Sequence, residues 1–168
     1  MPATNTYDSI QSYTLTSATN TVTFGSIPQT YTDLILVHST QVTGNVNAWM
    51  QFNSDTGTNY SITLFEGNGS SAASGRANNQ TRIQLDSTAY PTFPSGSAFA
   101  PNIVHIMNYS NTTTYKTVLA RSNNSASGVG LFAGLWRSTN AITSIALIAG
   151  AVNFSVGSTF SLYGIKAA

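Results

Sequence analysis

The sequence predicts an all-β chain, specifically an antiparallel β-sandwich of jelly-roll type, and three observations carry that prediction. Apolar residues alternate with Thr and Ser in short runs, as in Tyr13 and Leu15 or Val22 and Phe24. This is the period-two pattern of strands with one buried face. Turn-forming residues punctuate the runs at intervals of about eight to twelve residues, the spacing of sandwiches and barrels. Finally, Thr, Val, Ile, Tyr and Phe dominate over strong helix formers, and they prefer a pleated surface. Without crossover helices, the strands must pair mostly antiparallel.

Taken in order, strands are predicted around Tyr13–Leu15, Val22–Phe24 and Leu34–Val42. The last begins apolar on both parities (Leu34, Ile35, Leu36, Val37), as expected of a central strand. Further strands follow at Ala48–Phe52, Tyr60–Leu64, Ile83–Leu85, Ile103–Tyr109 and Tyr115–Ala120, then at Val129–Trp136, Ile142–Ile148 and Thr159–Ile165. Turns are marked by Gly25, Gly44, Asp55-Thr56-Gly57, Ser110-Asn111-Thr112, Asn123-Asn124 and Gly157-Ser158. Two longer loops remain. Gly67–Gln80 is rich in Gly, Ser, Ala and Asn, carries Arg76, and is expected to be mobile or ordered only by a partner. Ser87–Pro101 spaces Tyr90, Phe93 and Phe99 with Pro91, Pro94 and Pro101. It is expected either to lie stiffly against another chain or to close one end of the core. The expected organisation is a short arm over residues 1–8, extending onto a neighbour or fraying, and a single β-sandwich over 9–168.

A chain of 168 residues suits one core. It contains no Cys, which removes disulfides, thiolate metal sites and thiol nucleophiles. Only 7% of residues are charged, against about 25% in ordinary globular chains. The net charge of +1 provides no footprint for nucleic acid or an anionic membrane. Ala141–Val152, the longest mostly apolar stretch, is too short to span a bilayer. The opening Met1-Pro2-Ala3-Thr4 has neither a basic n-region nor an apolar h-region, which predicts a product of the cytosol. Ser, Thr, Asn and Gln must therefore cover the core. Such a surface desolvates at lower cost than ions and exerts little long-range repulsion. It predicts a protein packed against neighbours.

No constellation in the sequence carries catalysis. The carboxylates Asp8, Asp33, Asp55, Glu66 and Asp86 lie in separate segments, and acid–base work needs a close pair. His38 and His105 are each embedded in an apolar strand, so a core or interface role outweighs a triad with Ser and Asp. Nucleophile-elbow, zinc-helix and phosphate-loop motifs do not occur. Gly128, Gly130 and Gly134 have the wrong spacing for nucleotide and fit close approach within strands. Asn53, Asp55 and Asn59 around Gly57 make a thin donor set for calcium and a good polar turn. Seven Asn-x-Ser/Thr triplets begin at Asn59, Asn68, Asn79, Asn108, Asn111, Asn123 and Asn153, as chance expects in this composition. Trp49 and Trp136 would serve as core anchors or, alternatively, as stacking platforms for a sugar. The chain is thus predicted to be no enzyme and to use no cofactor or metal.

Thr23-Phe24-Gly25-Ser26-Ile27-Pro28-Gln29-Thr30-Tyr31-Thr32-Asp33-Leu34 resembles a segment of structural proteins of tailed bacteriophages, as does Phe52–Ser61. The strongest likeness is in the C-terminal blocks, Ile142-Thr143-Ser144-Ile145 and Gly157-Ser158-Thr159-Phe160-Ser161-Leu162-Tyr163-Gly164-Ile165-Lys166. The blocks bracket nearly the whole chain and contain no catalytic motif. The resemblance implies a virion component: a head decoration (cement) protein contacting the major capsid protein, expected as a homotrimer, or a tail-fibre or spike module binding a host glycan. Room for a single globule favours decoration. The expected contact residues are Tyr90, Phe93, Phe99, Arg76, Trp49 and Trp136.

Overall fold

The structure, a computed structural model, describes residues 6–44, 47–86, 93–96 and 98–166. Those residues contain twelve strands. In chain order they are β1 (Tyr7–Thr14), β2 (Thr21–Phe24), β3 (Asp33–Thr40), β4 (Trp49–Phe52), β5 (Tyr60–Gly67) and β6 (Ala72–Gln80). They continue with β7 (Ile83–Gln84), β8 (Ala100–Met107), β9 (Lys116–Asn124), β10 (Gly128–Trp136), β11 (Ile145–Ile148) and β12 (Thr159–Ile165). Two antiparallel sheets form: eight strands in the order β1-β12-β3-β8-β9-β10-β5-β6, and four in the order β2-β11-β4-β7. They pack as a β-sandwich.

Alternation decides what lies between the sheets. In β3 it buries Leu34, Leu36, His38 and Thr40; in β4 it buries Met50 and Phe52. In β11 it buries Ile145 and Leu147. One continuous core joins these to Val104, Ile106, Val118, Phe132, Phe160 and Leu162. Aromatic rings tie the layers: Phe52 of β4 sits 5.5 Å from Trp136 of β10 and 6.3 Å from Tyr60 of β5, centroid to centroid. At the other side Tyr13 and Phe24 join β1 to β2 at 5.2 Å. Such pairs add about 0.5–1.5 kcal/mol beyond their buried area.

Three expectations are corrected. Residues 72–80, expected as a loop, form β6, a full strand paired along β5 from Gly67↔Ala72 to Tyr60↔Gln80. Its residues, Ala, Ser, Gly, Arg, Asn and Gln, include no large apolar side chain whose alternation could be read, so only the partner strand makes β6 a strand. The arm expected over residues 1–8 is shorter, because Tyr7 and Asp8 already pair with Ile165 and Gly164 of β12; residues 1–5 lie outside those described. The loop over 87–101 is shorter at its end, since Ala100 and Pro101 open β8, where Pro101 faces Ser39 of β3.

Candidate docking surface

The outer face of the eight-stranded sheet is the most unusual surface of the molecule. Along β10, Gly130, Phe132, Gly134 and Trp136 point inward, which sends Val129, Leu131, Ala133 and Leu135 outward. Both parities are apolar. Gly134 serves the inner layer, where an added Cβ would come within 2.8 Å of Ile83 on β7. Neighbouring strands repeat the pattern: β9 buries Val118 and presents Leu119, and β5 buries Ile62 and presents Phe65.

Register brings these residues together. One rung runs Phe65–Leu131–Arg121–Ile103–Val37 across β5, β10, β9, β8 and β3. The next runs Arg76–Thr63–Ala133–Leu119–His105–Ile35, starting from β6. Phe65 is 57% exposed, Leu119 48%, Val129 60% and Leu131 47%. Four large apolar side chains on adjacent strands, each about half in water, form a contiguous patch of the kind that marks interaction sites. Beside it, Arg76, Thr63, Met107, Thr117, Leu119 and Leu135 line a shallow groove of about 900 Å³. At the far side of the face His105 Nε2 lies 2.8 Å from Asp33 Oδ2, and Asp33 Oδ1 accepts the Asn108 N–H at 2.7 Å.

Of the expected contact residues, Arg76 stands on this face, and the other described ones stand apart from it. Phe93 is buried against the imidazole of His38 at 5.3 Å, so that part of the proline-spaced loop closes the core. Phe99 is exposed elsewhere, beside Gly157. Tyr90 lies outside the described residues. Trp136 is 1% exposed and its indole N–H donates to Asp55 Oδ2 at 2.7 Å, which makes it a core anchor and removes it as a partner contact or sugar platform. Trp49 lies on the outside of the small sheet, half-buried, with the Arg82 guanidinium 4.4 Å from its ring centroid. That face of the ring is already covered by a cation–π contact.

The polar groups weighed for chemistry are engaged in structure. Asp55 accepts from Gly57 N at 2.8 Å, Asn59 Nδ2 at 2.9 Å and Trp136 Nε1. Burial pushes its carboxyl up, but the bonds from Trp136, Asn59 and Gly57 outweigh that and hold it below the usual range. Asn53 Oδ1 accepts from Thr143 N and Ser144 N, clamping the chain before β11. The donor set imagined for calcium is thus a hydrogen-bonded turn. His38 is fully buried, 3.3 Å from Thr40 Oγ1, and burial pulls it down to about 3, so it stays neutral. Burial also lowers Lys116, whose ammonium donates to the Thr114 carbonyl at 2.8 Å. No group of three or more His, Asp or Glu placed to hold a metal occurs among the described residues.

Sequence reasoning missed Phe65, Leu119, Val129, Leu131 and Arg121. For Phe65, Leu119 and Leu131 the signal was present as adjacent apolar pairs, Leu64-Phe65, Val118-Leu119 and Leu131-Phe132, whereas Val129, between two glycines, and Arg121 are in no such pair. A strand with one wet face has no need of such pairs. No protein-family model and no curated protein matches the chain.

Proposed function

We propose that this chain is a virion structural protein of tailed bacteriophages, a head decoration (cement) protein that docks on the assembled shell through the outer face of its eight-stranded sheet. The observation that carries the reading is that face: Phe65, Leu119, Val129 and Leu131 exposed together on neighbouring strands. The phage-like sequence blocks and the nearly uncharged surface support it independently.

Strand order supports the finer reading of the sandwich as a jelly roll. Setting aside the hairpins β5–β6 and β9–β10 leaves β1-β12-β3-β8 opposite β2-β11-β4-β7. Along the chain these eight strands change sheet at every step but the hairpin-like step from β4 to β7, the double Greek key found in viral capsid domains. Homotrimer formation is proposed at the sheet edges. There β6 is exposed at seven of its nine residues, contains no proline and has one charge, which leaves its edge open to pairing.

The test uses purified heads lacking this protein. Added protein should bind them and raise their melting temperature, because a ligand specific to the assembled lattice stabilises it by about 2.7 kcal/mol at a hundred times its dissociation constant. Leu131→Ser with Phe65→Ser should remove binding, leaving the fold intact. Binding that survives this pair would refute the surface assignment.

A further inference from the structure

The charges on the docking face state what it meets. Arg121 lies in the rung with Leu131 and Phe65, and Arg76 stands at the β6 end of the adjacent rung. Three strand spacings separate them, about 14 Å, with the apolar patch between. No ion pair reaches either guanidinium among the described residues, where the two pairs are His105–Asp33 and Lys166–Asp8. The other cations are committed: Lys116 is buried, Arg82 covers Trp49, and Arg137 donates to the Thr58 carbonyl at 3.0 Å.

The acids are equally committed. The chain has five carboxylate side chains. Asp8 is paired with Lys166, Asp33 with His105, and Asp55 is bound by its turn and Trp136. Glu66 and Asp86 are buried. A second copy of this chain therefore has no exposed, uncommitted carboxylate side chain to offer Arg76 or Arg121. Face-to-face self-association would also oppose like charges across a desolvated patch, which costs several kcal/mol.

We infer that the occupant of this face is a different protein, one presenting an apolar ridge flanked by carboxylates that pair with Arg121 and Arg76. This rests on the docking reading above and adds the chemistry of the partner. Arginine suits the role, because its planar fork binds a carboxylate through two parallel hydrogen bonds. An acidic polysaccharide fits less well, since three of the four patch side chains are aliphatic and sugars stack on aromatic rings.

The experiment titrates the full chain with a random copolymer of glutamate and tyrosine, and in parallel with polyglutamate, a lysine–tyrosine copolymer and polygalacturonate. The glutamate–tyrosine copolymer should bind best, with polyglutamate and polygalacturonate weaker by roughly tenfold and the lysine copolymer weakest. Arg121→Gln and Arg76→Gln, both exposed and so harmless to folding, should each weaken binding by roughly three- to tenfold. Raising NaCl to about 0.5 M should weaken the wild type more than the double variant. Preference for the lysine copolymer or polygalacturonate, or a double variant that binds as the wild type does, overturns the inference. So does a change in sedimentation mass on Leu131→Ser, which would make the face a contact between copies. Heads that bind the wild type and the double variant equally would overturn the acidic partner and leave docking standing. Heads that bind neither, while the copolymer binds as expected, would instead end the docking reading.

Discussion

Replacing Asp55 by alanine should cost far more than its place in an exposed turn implies. Its Oδ2 accepts from the Trp136 indole at 2.7 Å and from Asn59 at 2.9 Å, and its Oδ1 accepts from Gly57 N at 2.8 Å. Trp136 is itself packed between Phe52 and Tyr60 in the core. Truncation leaves the indole N–H without its acceptor, a desolvation cost of about 1–3 kcal/mol. Of the two turn bonds, that from Gly57 is exposed and that from Asn59 is part-buried, and their loss adds about 1 kcal/mol. The sum is about 2–4 kcal/mol. For a chain of this length that lowers Tm by roughly 4–16 °C.

The assay is a double-mutant cycle by urea and thermal unfolding, with Trp136→Phe as the second change. Phenylalanine has no N–H to strand, so Asp55→Ala should cost about 1–3 kcal/mol less in that background. Asp55→Asn keeps an acceptor and should fall between wild type and alanine. The network also has a pH signature. Its folded carboxyl sits below the usual range, so its contribution is complete above the unfolded value and is lost as pH falls through the folded one. A Tm shift of under about 1 °C for Asp55→Ala, or strict additivity in the cycle, would refute the argument.

Two further perturbations test the core and the sheet. His38, pulled from the usual 6.5 to about 3 by burial, binds its proton only in the unfolded chain between those values. Stability should therefore fall as pH drops from 6.5 toward 3, with a slope of up to about 1.4 kcal/mol per pH unit from this residue. His38→Leu should flatten that slope in urea titrations across the range, and an unchanged slope would count against a neutral buried imidazole. At Gly164 an added Cβ would overlap the ring of Tyr31. Gly164→Ala should displace the ring and cost about 1–3 kcal/mol, read as a lower urea midpoint at constant m. Tyr31→Ala should remove most of that cost.

The all-β class, the position of most strands and much of the core were determined by the sequence alone. Period-two alternation is a local property: Val22/Phe24, Met50/Phe52 and Phe160/Leu162 announce a buried face wherever the chain places it. The polar turn at Asp55 was legible for the same reason, since its partners Gly57 and Asn59 lie within four residues.

Tertiary structure decided the rest. Nothing local distinguishes Leu131 from Phe132 or Phe65 from Leu64; the inward parity is whichever one meets the opposing sheet. In this molecule the small sheet stands over Phe132 and leaves Leu131 in water. Nor does the composition of Ala72–Gln80 contain a strand, because β6 exists through its bonds to β5. The grouping of Phe65 with Arg121 and Leu131 joins β5 to the β9–β10 hairpin far along the chain, and only the register of β5 on β10 sets them side by side. Alternation says that a strand has two faces; the partner across the core says which of them is left bare.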